Sequence, residues 1–191
     1  LCRSITNLDL SHFEAPKLQT MEYMFYYMVE LRSLDLSKLK PNNLKNMGHA
    51  FQYCTILEKI DLSNLNTEYV EDMSFLFSDC TSLVSIDVSR FKSSNVKNMA
   101  SMFNGCSKLS EIDLSQFSTG QVEDMSAMFK FCSGIKKLEM TGFNTGKVTN
   151  MKSMFEGCLQ LSDLNLAQFN TGNVKDMSNM FLSCGYLKTI D

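Results

Sequence analysis

The sequence predicts an α/β solenoid: a right-handed superhelix of seven 26-residue coils, with a parallel sheet on one face and short helices on the other. Three observations carry this. An apolar–polar–apolar triplet, mostly Leu/Ile-Asp-Leu, opens at Leu8, Leu34, Ile60, Ile86, Ile112, Leu138, Leu164 and Ile190, always 26 residues on. Nine seats per coil, counted from that first apolar residue, are apolar in every coil: seats 1, 3, 6, 11, 14, 17, 18, 21 and 24. Within a coil the apolar spacing changes from alternation to a three-and-four pattern, so each coil contains two kinds of element. The coils run 8–33, 34–59, 60–85, 86–111, 112–137, 138–163 and 164–189, with residues 1–7 closing an earlier coil and 190–191 opening a later one.

Seats 1 and 3 alternate with polar seats 2 and 4, as in a short strand with one buried face. Seats 7–10, such as Asn144-Thr145-Gly146-Lys147, are a turn. Seat 13 is Thr20, Asn46, Asp72, Asn98, Asp124, Asn150 and Asp176, good N-cap residues. Seats 14, 17, 18 and 21 then fall at i, i+3, i+4 and i+7, one stripe of a helix. Seat 14 is Met in all seven coils and seat 18 is Phe. One such unit cannot bury its apolar side alone, whereas stacked units can. A parallel crossover of this kind is right-handed. The whole is read as one domain, residues 1–191. Neither end has a polar cap, so the chain is expected to be a fragment, or to have its ends covered by other domains or subunits.

Composition narrows the function. The formal net charge of -3 gives no basic surplus to attract nucleic acid. No run of 18 apolar residues spans a membrane. Two His make His-ligated metal sites and His-based catalysis poor readings. No nucleophile–base or metal constellation breaks the repeat, so no cofactor and no enzymatic activity is expected. Gly142–Lys147 lacks the spacing of a phosphate loop, and Thr119-Gly120 and Thr171-Gly172 share its phase.

The run Val96-Lys97-Asn98-Met99, Met102-Phe103, Cys106, Leu109 and Ile112-Asp113-Leu114-Ser115 resembles the BspA-like leucine-rich repeats. More closely, it resembles the 26-residue variant of mycoplasma lipoproteins, Gram-positive surface proteins and some protist proteins. The resemblance covers essentially the whole chain. It implies a leucine-rich-repeat solenoid, secreted or on a cell surface, often linked to adhesion. It implies no catalytic residues.

Three features stand out against the repeat. Seat 21 is Cys54, Cys80, Cys106, Cys132, Cys158 and Cys184, with Met28 in the second position of the row after Cys2. The spacing fits no zinc or redox pattern, and a small apolar core residue is preferred to an oxidised ladder. Seat 2 forms an acidic row, Asp9, Asp35, Asp61, Asp87, Asp113 and Glu139, continued by Asn165 and Asp191. Beside it lie Ser37, Ser63, Ser89 and Arg90. This row is either a solvated consensus held by local hydrogen bonds or a ligand-facing sheet. The third feature is the off-core aromatics. Tyr23, Tyr26, Tyr27, His49, Tyr53 and Phe75 occupy seats 16, 19 and 20 of the first three coils, opposite the buried stripe. Exposed aromatic clusters mark contacts. Phe131 lies farther along.

Seat 13 also alternates Asn46, Asp72, Asn98, Asp124, Asn150, Asp176, which reads as a 52-residue duplication or as avoidance of glycosylation sequons. The function expected is a non-enzymatic protein- or glycan-binding or adhesion module of a surface or secreted protein. The alternative is a structural subunit inside a larger multiprotein assembly.

Overall fold

A computed structural model describes residues 2–190; Leu1 and Asp191, the latter expected in the acidic row, lie outside the described residues. Short strands form where seats 26, 1 and 2 fall: β1 (Ser33–Asp35), β2 (Lys59–Asp61), β3 (Glu111–Asp113), β4 (Lys137–Glu139), β5 (Asp163–Leu164) and β6 (Thr189–Ile190). They pair in parallel, β1 with β2, β3 with β4 and β5 with β6. Leu34 lies opposite Ile60, Ile112 opposite Leu138 and Leu164 opposite Ile190, each 26 residues on. The expected continuous sheet is therefore three two-stranded pieces, and the segment around Ile86 pairs with neither neighbour as a strand.

The expected helices are absent among the described residues. In every coil seats 16 and 20 lie at φ between 53° and 74°, from Tyr23 and Tyr27 to Asn179 and Ser183. A right-handed helix cannot contain such residues. The chain makes successive turns instead, with Met24 N bonding Met21 O, Tyr26 N bonding Tyr23 O and Met28 N bonding Phe25 O. The N–H groups of seats 14, 16, 18 and 20 donate to the next coil. Met47 donates to Asp72 at 2.9 Å, His49 to Ser74 at 2.8 Å, Phe51 to Leu76 at 3.0 Å and Tyr53 to Ser78 at 2.9 Å. The same four bonds cross all six junctions from Met21 to Leu182. Parallel bridges at seat 13 run in register from Thr20 to Asp176. The continuous ladder is thus on the turn face. A unit that repeats every four residues puts seats 14, 17, 18 and 21 on one side as a helix does, so the spacing misidentified the element.

Seat 13 performs the predicted cap without a helix to cap. Asp72 Oδ1 accepts from Ser74 N at 2.8 Å, and Asp124 Oδ1 from Ser126 N at 2.7 Å. The core lies between strand face and turn face. Its spine is Phe25, Phe51, Phe77, Phe103, Phe129, Phe155 and Phe181, with ring centroids 5.4 to 5.9 Å apart and planes within 12° of parallel. Nearer the strands, Phe91 and Phe117 are 6.4 Å apart and Phe143 and Phe169 are 6.2 Å apart. These rings are more widely spaced, at two junctions where the strands are not paired. Among the described residues, core seats are exposed only near the two end coils, as at Phe13 and Met177.

A buried hydroxyl clasp joins the turns at seats 7 and 8. Thr119 Oγ1 donates to Asn144 O at 2.9 Å and accepts from Asn144 N at 2.7 Å. Thr67, Ser93 and Thr145 do the same to the following coil. Pro41 occupies this seat in the second coil and makes no clasp.

Candidate interaction surface

The strand-face row is engaged with its own turns. Asp35 Oδ1 accepts from Ser37 N at 2.7 Å, Asp61 Oδ1 from Ser63 N at 2.9 Å, Asp87 Oδ1 from Ser89 N at 2.9 Å and Asp113 Oδ1 from Ser115 N at 2.8 Å. The Ser37 backbone amide holds the Asp35 carboxyl below its ordinary range. The Ser89 hydroxyl does the same to Asp87, with Arg90 a smaller influence. Asp61, Ser63, Asp87 and Arg90 meet around a cleft of about 140 Å³. Asp113 and Glu139 line another of about 410 Å³. Asp35, Ser37 and Ser89 line neither. Among the described residues no group of three or more His, Cys, Asp or Glu is placed to hold a metal ion.

The cysteine row is buried and unoxidised. Cys54, Cys80, Cys106, Cys132 and Cys158 are free and buried, Cys184 is half-buried and Cys2 exposed. Burial pushes the thiols of Cys54 and Cys158 up to about 12.

The turn face gathers the aromatic residues into one network. Tyr23, His49 and Phe75, all at seat 16, stack as a column with centroids 4.5 and 4.6 Å apart. Tyr26, Tyr27 and Tyr53 form a triangle of inclined rings with centroids 5.3 to 5.8 Å apart and interplanar angles of 46° to 81°. Tyr23 joins the two groups through Tyr26, edge to face at 5.4 Å. His49 Nδ1 lies 2.6 Å from Gln52 Oε1, which fixes the ring in its column. Tyr23 is 50% exposed, and the other five are half-buried.

Five of the six hold bulky side chains at positive φ, a conformation in which such residues are outliers. Later coils relax it at seat 20 with Gly105 and Gly157. Phe131 stands apart: it is exposed, its ring lies 4.8 Å from Lys130 Nζ, and Lys130 pairs with Glu156 at 3.0 Å. Two members were not singled out in the sequence. Arg3 places its guanidinium carbon 4.5 Å from the centre of the Tyr27 ring. The Asp79 carboxylate raises the Tyr53 phenol above its ordinary value. Asp79 continues the Tyr27–Tyr53 column at seat 20, so phase alone could have found it.

Residues 2–111 and 109–189 match a family described as "Mycoplasma protein of unknown function, DUF285". Comparison with curated proteins gave no match. Among solved structures, the chain is similar to a leucine-rich-repeat protein of T. pallidum, with 20% identity and TM-score 0.46, over 78% of this chain and 71% of that one. It is similar to a leucine-rich-repeat protein of Bacteroides ovatus, with 16% identity and TM-score 0.36, over 96% of this chain and 64% of that one. It is also similar to a leucine-rich-repeat protein of Leptospira interrogans, with 13% identity and TM-score 0.37, over 97% of this chain and 54% of that one.

Proposed function

The chain belongs to the family described as "Mycoplasma protein of unknown function, DUF285", and on that premise we propose that it is a non-enzymatic protein-binding module whose turn face, at the first three coils, meets a partner. One observation carries the reading. Tyr23, Tyr27, His49, Tyr53 and Phe75 sit where the backbone favours glycine, yet they are large, partly exposed and in mutual contact. Every coil has left-handed φ at these two seats, but the network of large aromatic rings in mutual contact is confined to the first three coils, where smaller residues would cost less. Tyr rings also supply contact area at low conformational-entropy cost, as binding surfaces require.

The strand face is the weaker candidate, because its carboxylates already close their own turns. The proposal takes residues 1–191 as one solenoid domain of a surface or secreted protein, with an adhesive role there. No helix among the described residues is long and apolar enough to cross a membrane. A structural subunit inside a larger assembly would use the same aromatic face, with another subunit as the partner.

The test compares the protein with a Tyr23→Ser/Tyr26→Ser/Tyr27→Ser/Tyr53→Ser variant and an Asp61→Asn/Asp87→Asn variant on arrays of immobilised proteins and glycans. Protein binding lost in the first variant and kept in the second supports the turn face. The opposite pattern moves the site to the strand face, and binding to glycans alone rejects a protein partner.

A further inference from the structure

The Tyr26–Tyr27–Tyr53 triangle already carries a cation, and we propose that this corner of the turn face docks an arginine-bearing basic segment of the partner, with Arg3 as the chain's own placeholder. The inference rests on the turn-face reading above. A guanidinium is attracted to the negative face of an aromatic ring, and Arg is the side chain that most often makes this contact. Arg3 demonstrates it in place, with its guanidinium carbon 4.5 Å from the centre of the Tyr27 ring. Arg3 is exposed and its contact is intramolecular, so a partner's guanidinium can exchange with it.

The second element is charge. Seat 20 reads Tyr27, Tyr53, Asp79 in three successive coils, so an anionic group closes the column at the end opposite Arg3. Asp79 follows Ser78, whose carbonyl oxygen accepts from Tyr53 N at 2.9 Å, so it stands one coil beyond Tyr53, and its carboxylate raises the Tyr53 phenol. Its Oδ2 accepts from Ser78 Oγ at 3.0 Å, which orients the carboxylate. An incoming segment with two basic side chains would meet the ring faces with one and Asp79 with the other. A neutral segment could use the rings only, and an acidic one would be repelled by Asp79.

The probes are a peptide acetyl-Gly-Arg-Gly-Arg-Gly-amide and its citrulline counterpart, which keeps the planar shape but loses the charge and exchanges one terminal NH2 donor for a carbonyl oxygen. Binding is measured by calorimetry, with the Tyr ring resonances followed by NMR. The arginine peptide is expected to bind roughly two- to fivefold more tightly per cation contact than the citrulline peptide, and to shift the Tyr26, Tyr27 and Tyr53 signals. Arg3→Ala should tighten binding more than Lys17→Ala, an exposed change of equal charge, because only Arg3 occupies the site. Asp79→Asn should weaken it. Equal binding of the two peptides overturns the inference, as does an equal effect of Arg3→Ala and Lys17→Ala, which would mean general attraction to an acidic protein. Array binding that still depends on the four Tyr, with no arginine preference, overturns this inference and leaves the turn-face reading standing. Array binding indifferent to those Tyr overturns both.

Discussion

The thiol of Cys106 donates to the carbonyl oxygen of Phe77 across 3.1 Å, reaching from one coil into the one before. The same bond joins Cys54 to Phe25, Cys80 to Phe51, Cys132 to Phe103, Cys158 to Phe129 and Cys184 to Phe155. The Phe77 carbonyl also accepts from Cys80 N within its own coil, so the thiol uses its second lone pair. The seat needs a small, largely apolar side chain with one weak donor. Cysteine meets all three conditions, which accounts for a row of thiols that forms no disulfide.

This burial sets a pH limit. The folded thiols of Cys54 and Cys158 lie at about 12, against an unfolded value near 9.0. Burial also pushes Cys80, Cys106 and Cys132 up. The unfolded chain therefore loses these protons first. The stability they contribute is intact below pH 9 and falls as pH rises from there towards 12, by up to about 1.4 kcal/mol per pH unit for each thiol. Chemical denaturation at pH 7, 9 and 10.5 should show the loss, with the Cys2 thiol alone reacting quickly with a thiol reagent in the native state at pH 8. Rapid native labelling of all seven would contradict the buried row.

Left-handed seats predict opposite effects of small changes. Gly105 has φ 74°, and a methyl group added there meets the carboxylate of Asp79. Gly105→Ala should destabilise by about 1–3 kcal/mol. Ala127, at φ 53°, already has the strained backbone, so Ala127→Gly should be neutral or stabilising by up to about 1 kcal/mol. Denaturant midpoints of the two variants decide this. In a right-handed helix Ala127→Gly would destabilise by about 1 kcal/mol, so its sign also distinguishes the turn ladder from the predicted helix.

The solenoid phase was legible because Phe25, Phe51 and their counterparts must stack, and only a fixed 26-residue step keeps them in register. The turn ladder was not, because left-handed φ at Tyr23 or Tyr53 leaves no trace in side-chain type when the seat is filled by Tyr. Gly105 and Gly157 held the signal, but two glycines in fourteen seats look like chance in one sequence. The aromatic cluster was visible as residues off the core, and the change from helix to turns left it on the outer face. Arg3 was not legible because its role depends on contact with the Tyr27 ring and not on a pattern, whereas Asp79 was legible in its seat-20 phase. The hydroxyl clasp was written in the sequence as Thr67, Ser93, Thr119 and Thr145, but read only as a turn.

That clasp can be measured. Thr119 is fully buried and holds both backbone groups of Asn144. Thr119→Val keeps the volume and removes both bonds, leaving the Asn144 amide and carbonyl without their partner in the turn. The expected loss is about 1–3 kcal/mol, whereas Thr119→Ser should retain most of the stability. Hydrogen exchange supplies the local readout: the Asn144 amide should lose protection in Thr119→Val and keep it in Thr119→Ser.

The alternation of Asn and Asp at seat 13 has a physical cause in the ladder. Seat-13 residues of successive coils are bridge partners, so carboxylates in consecutive coils would stand one strand spacing apart. Asn150 instead donates its Nδ2 to Asp124 Oδ2 at 3.1 Å while its Oδ1 accepts from Lys152 N at 3.1 Å. Asn150→Asp keeps the second bond, loses the first and creates a run of three carboxylates ending at Asp176. It should destabilise by about 1 kcal/mol at pH 7 and low salt. Half-molar salt should recover part of the loss, since the half-buried seats are only partly screened. Mutual repulsion raises the carboxyl pKa values in the variant, so its deficit is present above the carboxylate range and shrinks as pH falls through it. The native Asp176, held low chiefly by the backbone amide of Ser178, runs the other way and loses its contribution in acid. The two stability curves should therefore converge near pH 3. A variant as stable as the native protein at pH 7 would return the alternation to simple duplication.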